Sequence, residues 1–228
     1  MYQHFKISFV SLLFVLMGMV VAGCTSTPPD ETSSRSGLTR ASGQSETARH
    51  GAEVYIFGGG YGVFSTGLAG LADQLSRNGV QPKRLSYAAW RTAEREILAN
   101  RSKSGRRPII LIGHSLGANS TIELAESLKK QGIQVDFIAS FAATTQLAVP
   151  SNVRNVTNYY FKSGGWGGIF VEGDGFRGNL DNRDVSVMPG VDHFSIDDNQ
   201  DLRDEVVRSV VRHASSGRTT KPRQGTTR

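Results

Sequence analysis

The stretch PIILIGHSLGANS, residues 108–120, decides the fold of this chain. Its first part, residues 109–112, is an unbroken aliphatic run, which is typical of a strand buried on both faces of a parallel sheet. Gly113 and Gly117 then flank Ser115 in a G-x-S-x-G pattern, and an amphipathic helical pattern follows. A strand, a tight glycine turn and a helix in this order project a serine hydroxyl at the carboxyl edge of a sheet.

The chemistry of this turn depends on its backbone. A Cβ at either glycine would collide with the neighbouring strand or helix backbone, so the turn requires glycine at both positions. The first N–H groups of the following helix have no partner inside that helix and carry the positive end of its dipole. They can therefore hold a developing oxyanion, and the N–H of Leu116 is the first predicted donor. Ser115 is predicted to be a nucleophile, with a glycine–serine turn that has no chemical role as the alternative.

Short apolar runs alternate with helical patterns on both sides of this stretch. The predicted strands cover residues 53–59, 82–90, 108–113, 135–143 and 153–161, and the predicted helices cover 66–79, 92–105 and 121–132. This alternation indicates the α/β class, with a mostly parallel central sheet and helices on both faces. About ten residues separate the last two predicted strands, so no large lid domain is expected.

The composition predicts one folded domain with tails. The chain has 228 residues, of which 38% are hydrophobic, enough for a single core over residues 51–212. Residues 24–50 have few large apolar side chains and are predicted to be a flexible tether. Residues 213–228 are predicted to be a disordered basic tail. They account for most of the net charge of +6, so the folded surface is not strongly basic and nucleic-acid binding is not expected.

The N-terminus has the pattern of an export signal over residues 1–23. Lys6 precedes an apolar run over residues 7–22, which is short for a membrane span. VAGC, residues 21–24, resembles the lipobox of bacterial lipoproteins. That resemblance implies lipidation of Cys24, and Thr25 after it implies an outer-membrane anchor facing the periplasm. An ordinary secretory signal or an uncleaved anchor is the alternative. Cys24 is the only cysteine, so no internal disulfide can form.

A serine hydroxyl needs a base to become a nucleophile, and the histidines are the candidates. Three of the five lie in the predicted leader, tether or tail: His4, His50 and His213. His114 adjoins Ser115, and its side chain must point away from that neighbour, which suits a packing or orienting residue. His193 lies downstream of every predicted strand, on a loop before a C-terminal helical pattern. We therefore expect His193 to be the base, with a surface or capping histidine as the alternative.

Three segments together resemble the α/β-hydrolase superfamily, in particular its small lipase-like or thioesterase-like members without a large lid. They are GHSLGAN (113–119), GGYGVFSTG (59–67) and VDHFSID (191–197). The resemblance implies a serine hydrolase that acts on carboxylic esters or thioesters without metal or organic cofactor. It also implies oxyanion donors at Gly59 and Gly60, in the turn after the first strand. The expected partners are a small-molecule or lipid-like acyl ester and, through the lipid anchor only, the membrane.

The third catalytic residue is the weakest part of the pattern. Relatives often carry an acid after the strand that follows the nucleophile helix, but this chain has Ala142 and Ala143 there. The other usual place is the segment 162–184, whose acidic residues are Glu172, Asp174, Asp181 and Asp184. Asp174 is the predicted acid and Asp184 the next candidate, with loop caps or solvated charges as the alternative. Asp197, one turn after His193, could pair with that histidine if the segment is helical.

Apolar side chains in the same segment suggest where a substrate would bind. Trp166, Ile169, Phe170 and Phe176 could form a wall for an acyl chain or a small satellite core. The glycines over residues 58–62 do not complete the G-x-G-x-x-G pattern of a dinucleotide site. Two further functions remain open. The missing acid at 142 suggests a non-catalytic envelope lipoprotein that binds ligands, and the basic tail suggests an interaction protein.

Overall fold

The computed structural model describes residues 51–60, 65–163 and 166–216. The strands in these ranges are β1 (Glu53–Gly58), β2 (Pro82–Ser86), β3 (Ile109–His114), β4 (Phe137–Phe141), β5 (Leu147–Val149), β6 (Asn155–Tyr160), β7 (Phe170–Glu172) and β8 (Asn179–Asp184). The helices are α1 (Gly67–Arg77), α2 (Trp90–Ser104), α3 (Leu116–Lys130) and α4 (Gln200–Ser215), with 3₁₀ turns at Tyr87–Ala89 and Ile196–Asp198.

Six strands form one parallel sheet in the order β2-β1-β3-β4-β6-β8. The chain leaves β1 first toward β2 on one side and then returns to β3 on the other side. The strand order therefore reverses between β1 and β3, and the crevice beyond their carboxyl ends is where ligands bind in open parallel sheets. β5 and β7 pair in a separate two-stranded sheet.

Helices cover both faces of the large sheet because its central strands are apolar on both sides. Ile110 and Ile112 of β3 belong to one core cluster, which also contains apolar residues of α1 and α4. Ile109 and Leu111 belong to the second cluster, with apolar residues of α2 and α3. Alternate residues of a strand point to opposite faces, so an unbroken aliphatic run fills both clusters. The structure confirms the predicted α/β class and the helices on both faces.

The structure differs from the sequence prediction at the sheet edge. β5, β7 and β8 lie in segments predicted to be loops. β8 is one of the two edge strands of the large sheet, and its residues are only partly buried or exposed. Its sequence NLDNRD therefore lacks the apolar alternation that identifies a strand. Between β4 and β6 the chain contains only the three residues of β5 as regular structure. The structure thus also confirms that no large lid is inserted there.

The described structure extends beyond the predicted C-terminal limit of the domain. α4 ends at Ser215, beyond residue 212, at which the predicted domain ends. The predicted signal (1–23), Cys24 with the tether (24–50) and the tail from residue 217 onward lie outside the described residues. Within the described ranges, none of the helices combines the length and the apolarity that crossing a bilayer requires.

Candidate active site

Ser115 occupies a strained turn between β3 and α3. Its backbone has φ 57° and ψ −125°, a conformation that residues with a Cβ rarely adopt. Its N–H donates to the carbonyl oxygen of Phe141, which ties the turn to β4 at 2.9 Å. A Cβ on Gly113 would lie 2.3 Å from the oxygen of Gly117, and one on Gly117 would lie 2.0 Å from the oxygen of Phe57. Both glycines are therefore sterically required, as the sequence predicted.

The structure brings the two predicted catalytic side chains together. His193 lies in the loop that follows β8, and its Nε2 is 3.0 Å from Oγ of Ser115. Both side chains are buried at the carboxyl edge of the sheet. An unprotonated Nε2 can only accept a hydrogen bond. In that state the hydroxyl of Ser115 donates its hydrogen to Nε2 of His193. This is the contact that a general base needs before it removes the proton.

A backbone group sets the tautomer of His193. Nδ1 of His193 contacts the carbonyl oxygen of Trp166 within hydrogen-bonding distance. A carbonyl oxygen only accepts, so Nδ1 carries the hydrogen and Nε2 keeps its lone pair toward Ser115. Burial lowers the pKa of His193, and neighbouring His114 lowers it further, against the opposite effect of the Trp166 carbonyl. The imidazole is therefore neutral at pH 7 and able to accept a proton.

The structure corrects the prediction that Asp174 completes the site. Both ring nitrogens of His193 already have partners, and Asp174 is neither of them. Asp174 lies in the turn between β7 and β8, before the first residue of β8, where Gly173 donates to the oxygen of Val149. Since all strands of the large sheet are parallel, this turn lies at the amino edge, opposite to Ser115.

None of the other three predicted acids is a hydrogen-bond partner of the His193 ring. Glu172 is exposed on β7, and Asp181 forms an ion pair with Arg183. Asp184 accepts hydrogen bonds from Ser186 and from the N–H of Lys162, and the bonds from Ser186 hold the pKa of Asp184 below its usual value. Its carboxylate thus supports the start of the loop that leads to Trp166.

Gly59 and Gly60 follow β1 as predicted, but the N–H of Gly59 already has a hydrogen-bond partner. The N–H of Gly59 donates to Oγ of Ser65 at 2.9 Å, so the prediction of Gly59 as an oxyanion donor is corrected. Leu116 is the first residue of α3, and its N–H has no carbonyl to bind inside that helix. The N–H groups of Gly60 and Leu116, which both line the pocket over Ser115, remain the candidate donors.

A cavity of about 540 Å³ opens over Ser115, and its walls are largely apolar. Trp166 and Phe194, of which 56% and 51% of the residue surface is exposed, line this cavity. The Trp166 ring stacks on His193 with 4.4 Å between centroids. Leu116, Thr144 and Thr145 also line the cavity. Of the predicted apolar wall only Trp166 is found there, since Phe170 is buried in a core cluster and Phe176 packs against it. These two side chains therefore belong to the large core cluster that contains Ile109 and Leu111, and they form neither a substrate wall nor a separate small core.

Beneath Ser115 and His193 lies a set of buried polar side chains that the sequence did not connect. Nε2 of His114 is 2.7 Å from the carbonyl oxygen of His193, and Nδ1 is 2.9 Å from Oγ of Ser65. Asp197 contacts His114 at 3.7 Å instead of pairing with His193, and it accepts the N–H of Leu68. Burial raises the pKa of Asp197 to about 7.

The described residues thus form an α/β fold, with a six-stranded parallel sheet covered by helices on both faces, that carries a serine–histidine pair at the carboxyl edge of the sheet. Among the described residues no group of three or more His, Cys, Asp or Glu side chains is arranged to hold a metal ion. No family model and no curated protein matches the chain.

Among solved structures, the chain is similar to a proposed hydrolase of the alpha/beta superfamily from Xanthomonas campestris pv. campestris. The TM-score is 0.41 and the sequence identity 12%, and the match covers 72% of this chain and 99% of the other. A match this distant says nothing about the chemistry of the site, which depends on the geometry of the site itself.

Proposed function

We propose that this chain is a serine hydrolase that cleaves carboxylic esters or thioesters, with Ser115 as nucleophile and His193 as general base. One observation carries the proposal. Oγ of Ser115, on a strained turn, lies 3.0 Å from the unprotonated Nε2 of His193, and the opposite ring nitrogen is held by the Trp166 carbonyl. A serine in an ordinary turn needs neither the strained backbone nor an oriented imidazole.

In the proposed reaction, His193 takes the hydroxyl proton while Oγ of Ser115 attacks the carbonyl carbon of the substrate. The N–H groups of Gly60 and Leu116 hold the oxyanion of the tetrahedral intermediate. The imidazolium then gives its proton to the departing alcohol or thiol, and an acyl-serine remains. Water repeats the sequence with His193 as base, releasing the carboxylic acid and restoring the hydroxyl.

The Trp166 carbonyl takes the position that a carboxylate has in a complete triad. It keeps His193 in the required tautomer, but it stabilises the imidazolium less than a negative charge would. Amide cleavage depends most on this imidazolium, because an amine leaves only after it is protonated. Alcohols and thiols are better leaving groups, so the site favours esters and thioesters. The apolar cavity favours an apolar acyl group.

A second candidate function is a ligand-binding protein with a hydrolase-like fold and no turnover. The observation in its favour is that, in the described part of the chain, no carboxylate contacts His193. This candidate predicts that an apolar acyl compound occupies the cavity over Ser115 without forming a covalent bond. It also predicts that replacing Ser115 leaves binding unchanged.

A fluorophosphonate probe separates the two candidates, because it forms a covalent bond only with an activated serine. We expect labelling of the wild-type chain, with peptide mapping to Ser115, and hydrolysis of p-nitrophenyl butyrate. Ser115→Ala should abolish both. The matched control is Ser102→Ala, which removes an exposed hydroxyl on α2. Absence of labelling in the wild-type chain would exclude the hydrolase and favour the binding protein.

We also propose that the chain is a lipid-anchored protein of the bacterial cell envelope, held through Cys24 on the periplasmic side of the outer membrane. The sequence over residues 21–24 and the polar segment that follows support this. An alkyne fatty acid fed to cells should be incorporated into the wild-type chain and not into Cys24→Ser. Incorporation that survives Cys24→Ser would contradict the anchor.

A further inference from the structure

His114 lies beneath the catalytic pair, with only 1% of its surface exposed, and both of its ring nitrogens are engaged. Nε2 contacts the carbonyl oxygen of His193 at 2.7 Å, and Nδ1 contacts Oγ of Ser65 at 2.9 Å. The reaction described above uses neither contact. A buried imidazole costs free energy to desolvate, so two well-formed partners indicate a defined task for this side chain.

The chemistry of the partners determines where the hydrogens lie. The His193 carbonyl can only accept, so Nε2 of His114 carries a hydrogen. Burial lowers the pKa of His114, which favours the neutral ring and leaves a lone pair on Nδ1. The hydroxyl of Ser65 then donates to Nδ1 and accepts the N–H of Gly59 at 2.9 Å. The bonds therefore run in one direction, from Gly59 through Ser65 and His114 to His193.

This chain of bonds joins three separate parts of the site. Gly59 begins the turn that contains the candidate oxyanion donor Gly60, and His193 is the proposed base. His114 is covalently bonded to Ser115, so its position is tied to that of the nucleophile. One imidazole thus connects the oxyanion turn, the nucleophile and the loop of the base, which come from three distant segments of the sequence.

We propose that His114 is a positioning residue that sets the spacing between Ser115, the base His193 and the oxyanion turn. The inference rests on the proposed hydrolase function. His193 lies outside the strands and helices, in a turn closed by the bond from the N–H of Ile196 to the carbonyl oxygen of Asp192 at 3.0 Å. The bond from His114 to the His193 carbonyl ties this turn to the end of β3. Misplacement of a reacting group by about 1 Å can reduce a rate about 100-fold.

Asp197 holds the other end of the same loop. Its Oδ2 accepts the N–H of Leu68 at 3.1 Å, and its backbone packs so tightly on α1 that a Cβ on Gly67 would lie 1.9 Å from its carbonyl oxygen. The loop of His193 is therefore fixed at residue 193 by His114 and at residue 197 by α1. The first anchor controls the imidazole more directly, because it binds the same residue.

Two variants of similar size separate the two contacts of His114. His114→Gln places an amide nitrogen near the former Nε2, so it keeps a donor for the His193 carbonyl and loses the acceptor for Ser65. His114→Asn places an amide oxygen near the former Nδ1, so it keeps the Ser65 contact and loses the bond to His193. If His114 only filled space, the two variants would behave alike.

The experiment measures kcat and KM of full-length wild-type and variant protein on p-nitrophenyl butyrate, per active site titrated with the fluorophosphonate probe. Titration removes the contribution of misfolded molecules. We expect His114→Asn to lower kcat about 100-fold with KM changed less than threefold, because the base is displaced while the cavity remains. His114→Gln should keep kcat within about tenfold of the wild type. The ¹⁵N NMR signals of His114 should show a protonated Nε2 and an unprotonated Nδ1.

Each outcome separates this inference from the proposed function. A wild-type chain that is labelled, with His114→Asn and His114→Gln equal in kcat, overturns the positioning role and leaves the hydrolase intact. A protonated Nδ1 with an unprotonated Nε2 also overturns it, because the bond to His193 would then have no donor. A wild-type chain that the probe does not label overturns both. Loss of kcat in His114→Asn with rescue in His114→Gln supports the role.

Discussion

The backbone carbonyl oxygen of Trp166 accepts the Nδ1–H of His193, and no side-chain carboxylate in the described part of the chain contacts that imidazole. A carbonyl selects the tautomer as a carboxylate does, but it adds no negative charge. The site therefore has an oriented imidazole whose protonated form is less stabilised than it would be beside a carboxylate.

The pH dependence of kcat/KM should show an acidic limb whose midpoint lies below the usual histidine pKa of about 6.5. Burial lowers the pKa of His193, so the ring becomes protonated only in more acidic solution. Protonated His193 cannot accept the serine proton, so the rate falls as pH decreases through this pKa. The profile is measured with an uncharged ester. A midpoint above 7 would instead show that a carboxylate pairs with His193.

Trp166→Ala should raise KM for p-nitrophenyl butyrate up to about tenfold and change kcat less. Its indole forms part of the apolar cavity and stacks on His193, and aromatic contacts contribute about 0.5–1.5 kcal/mol. The carbonyl that holds Nδ1 belongs to the backbone and remains in the variant. Trp166→Phe, which keeps a ring, serves as the matched control. A large loss of kcat in Trp166→Ala at unchanged KM would show that the side chain positions the base.

Gly113→Ala and Gly117→Ala should each lower the free energy of unfolding by about 1–3 kcal/mol or prevent folding. The added Cβ would lie 2.3 Å and 2.0 Å from backbone oxygens, which cannot move without displacing a strand or helix. Urea unfolding followed by circular dichroism measures the change. Gly51→Ala is the control, because a Cβ there meets nothing within 4 Å. A wild-type midpoint for either variant would contradict the crowding.

Asp197→Asn should stabilise the protein at pH 8 and leave it unchanged near pH 4. The folded protein binds the Asp197 proton more tightly than the unfolded chain, since burial raises its pKa from 3.8 to about 7. The wild type therefore loses stability as pH rises from about 4 to 7, whereas asparagine does not titrate. The asparagine oxygen can still accept the N–H of Leu68.

The expected difference at pH 8 is up to roughly 4 kcal/mol, because each unit of pKa shift corresponds to about 1.4 kcal/mol. Urea midpoints between pH 4 and 8 measure it, with exposed Asp73→Asn as the control. An Asp197→Asn protein that is less stable than the wild type at pH 8 would show that the carboxylate is held charged by a partner.

Local patterns determined the centre of the fold and two residues of the candidate site. The aliphatic run of β3 and the glycines around Ser115 act through burial and steric exclusion, which depend on the residues themselves. Strands of the interior were predicted because their side chains are apolar. β8 was not, because a strand at the sheet edge can be polar, and NLDNRD has the composition of a loop.

Which groups meet around His193 was decided by the tertiary structure alone. Asp174 has the chemistry of a catalytic acid but lies at the opposite edge of the sheet. The backbone carbonyl of Trp166 contacts Nδ1 of His193 instead. Likewise the N–H of Gly59 donates to Ser65 and is not free for an oxyanion. Backbone N–H and carbonyl groups are the same in almost every residue, so the sequence does not show which of them will take part in a site. Their partners depend on where distant segments of the chain come together in space.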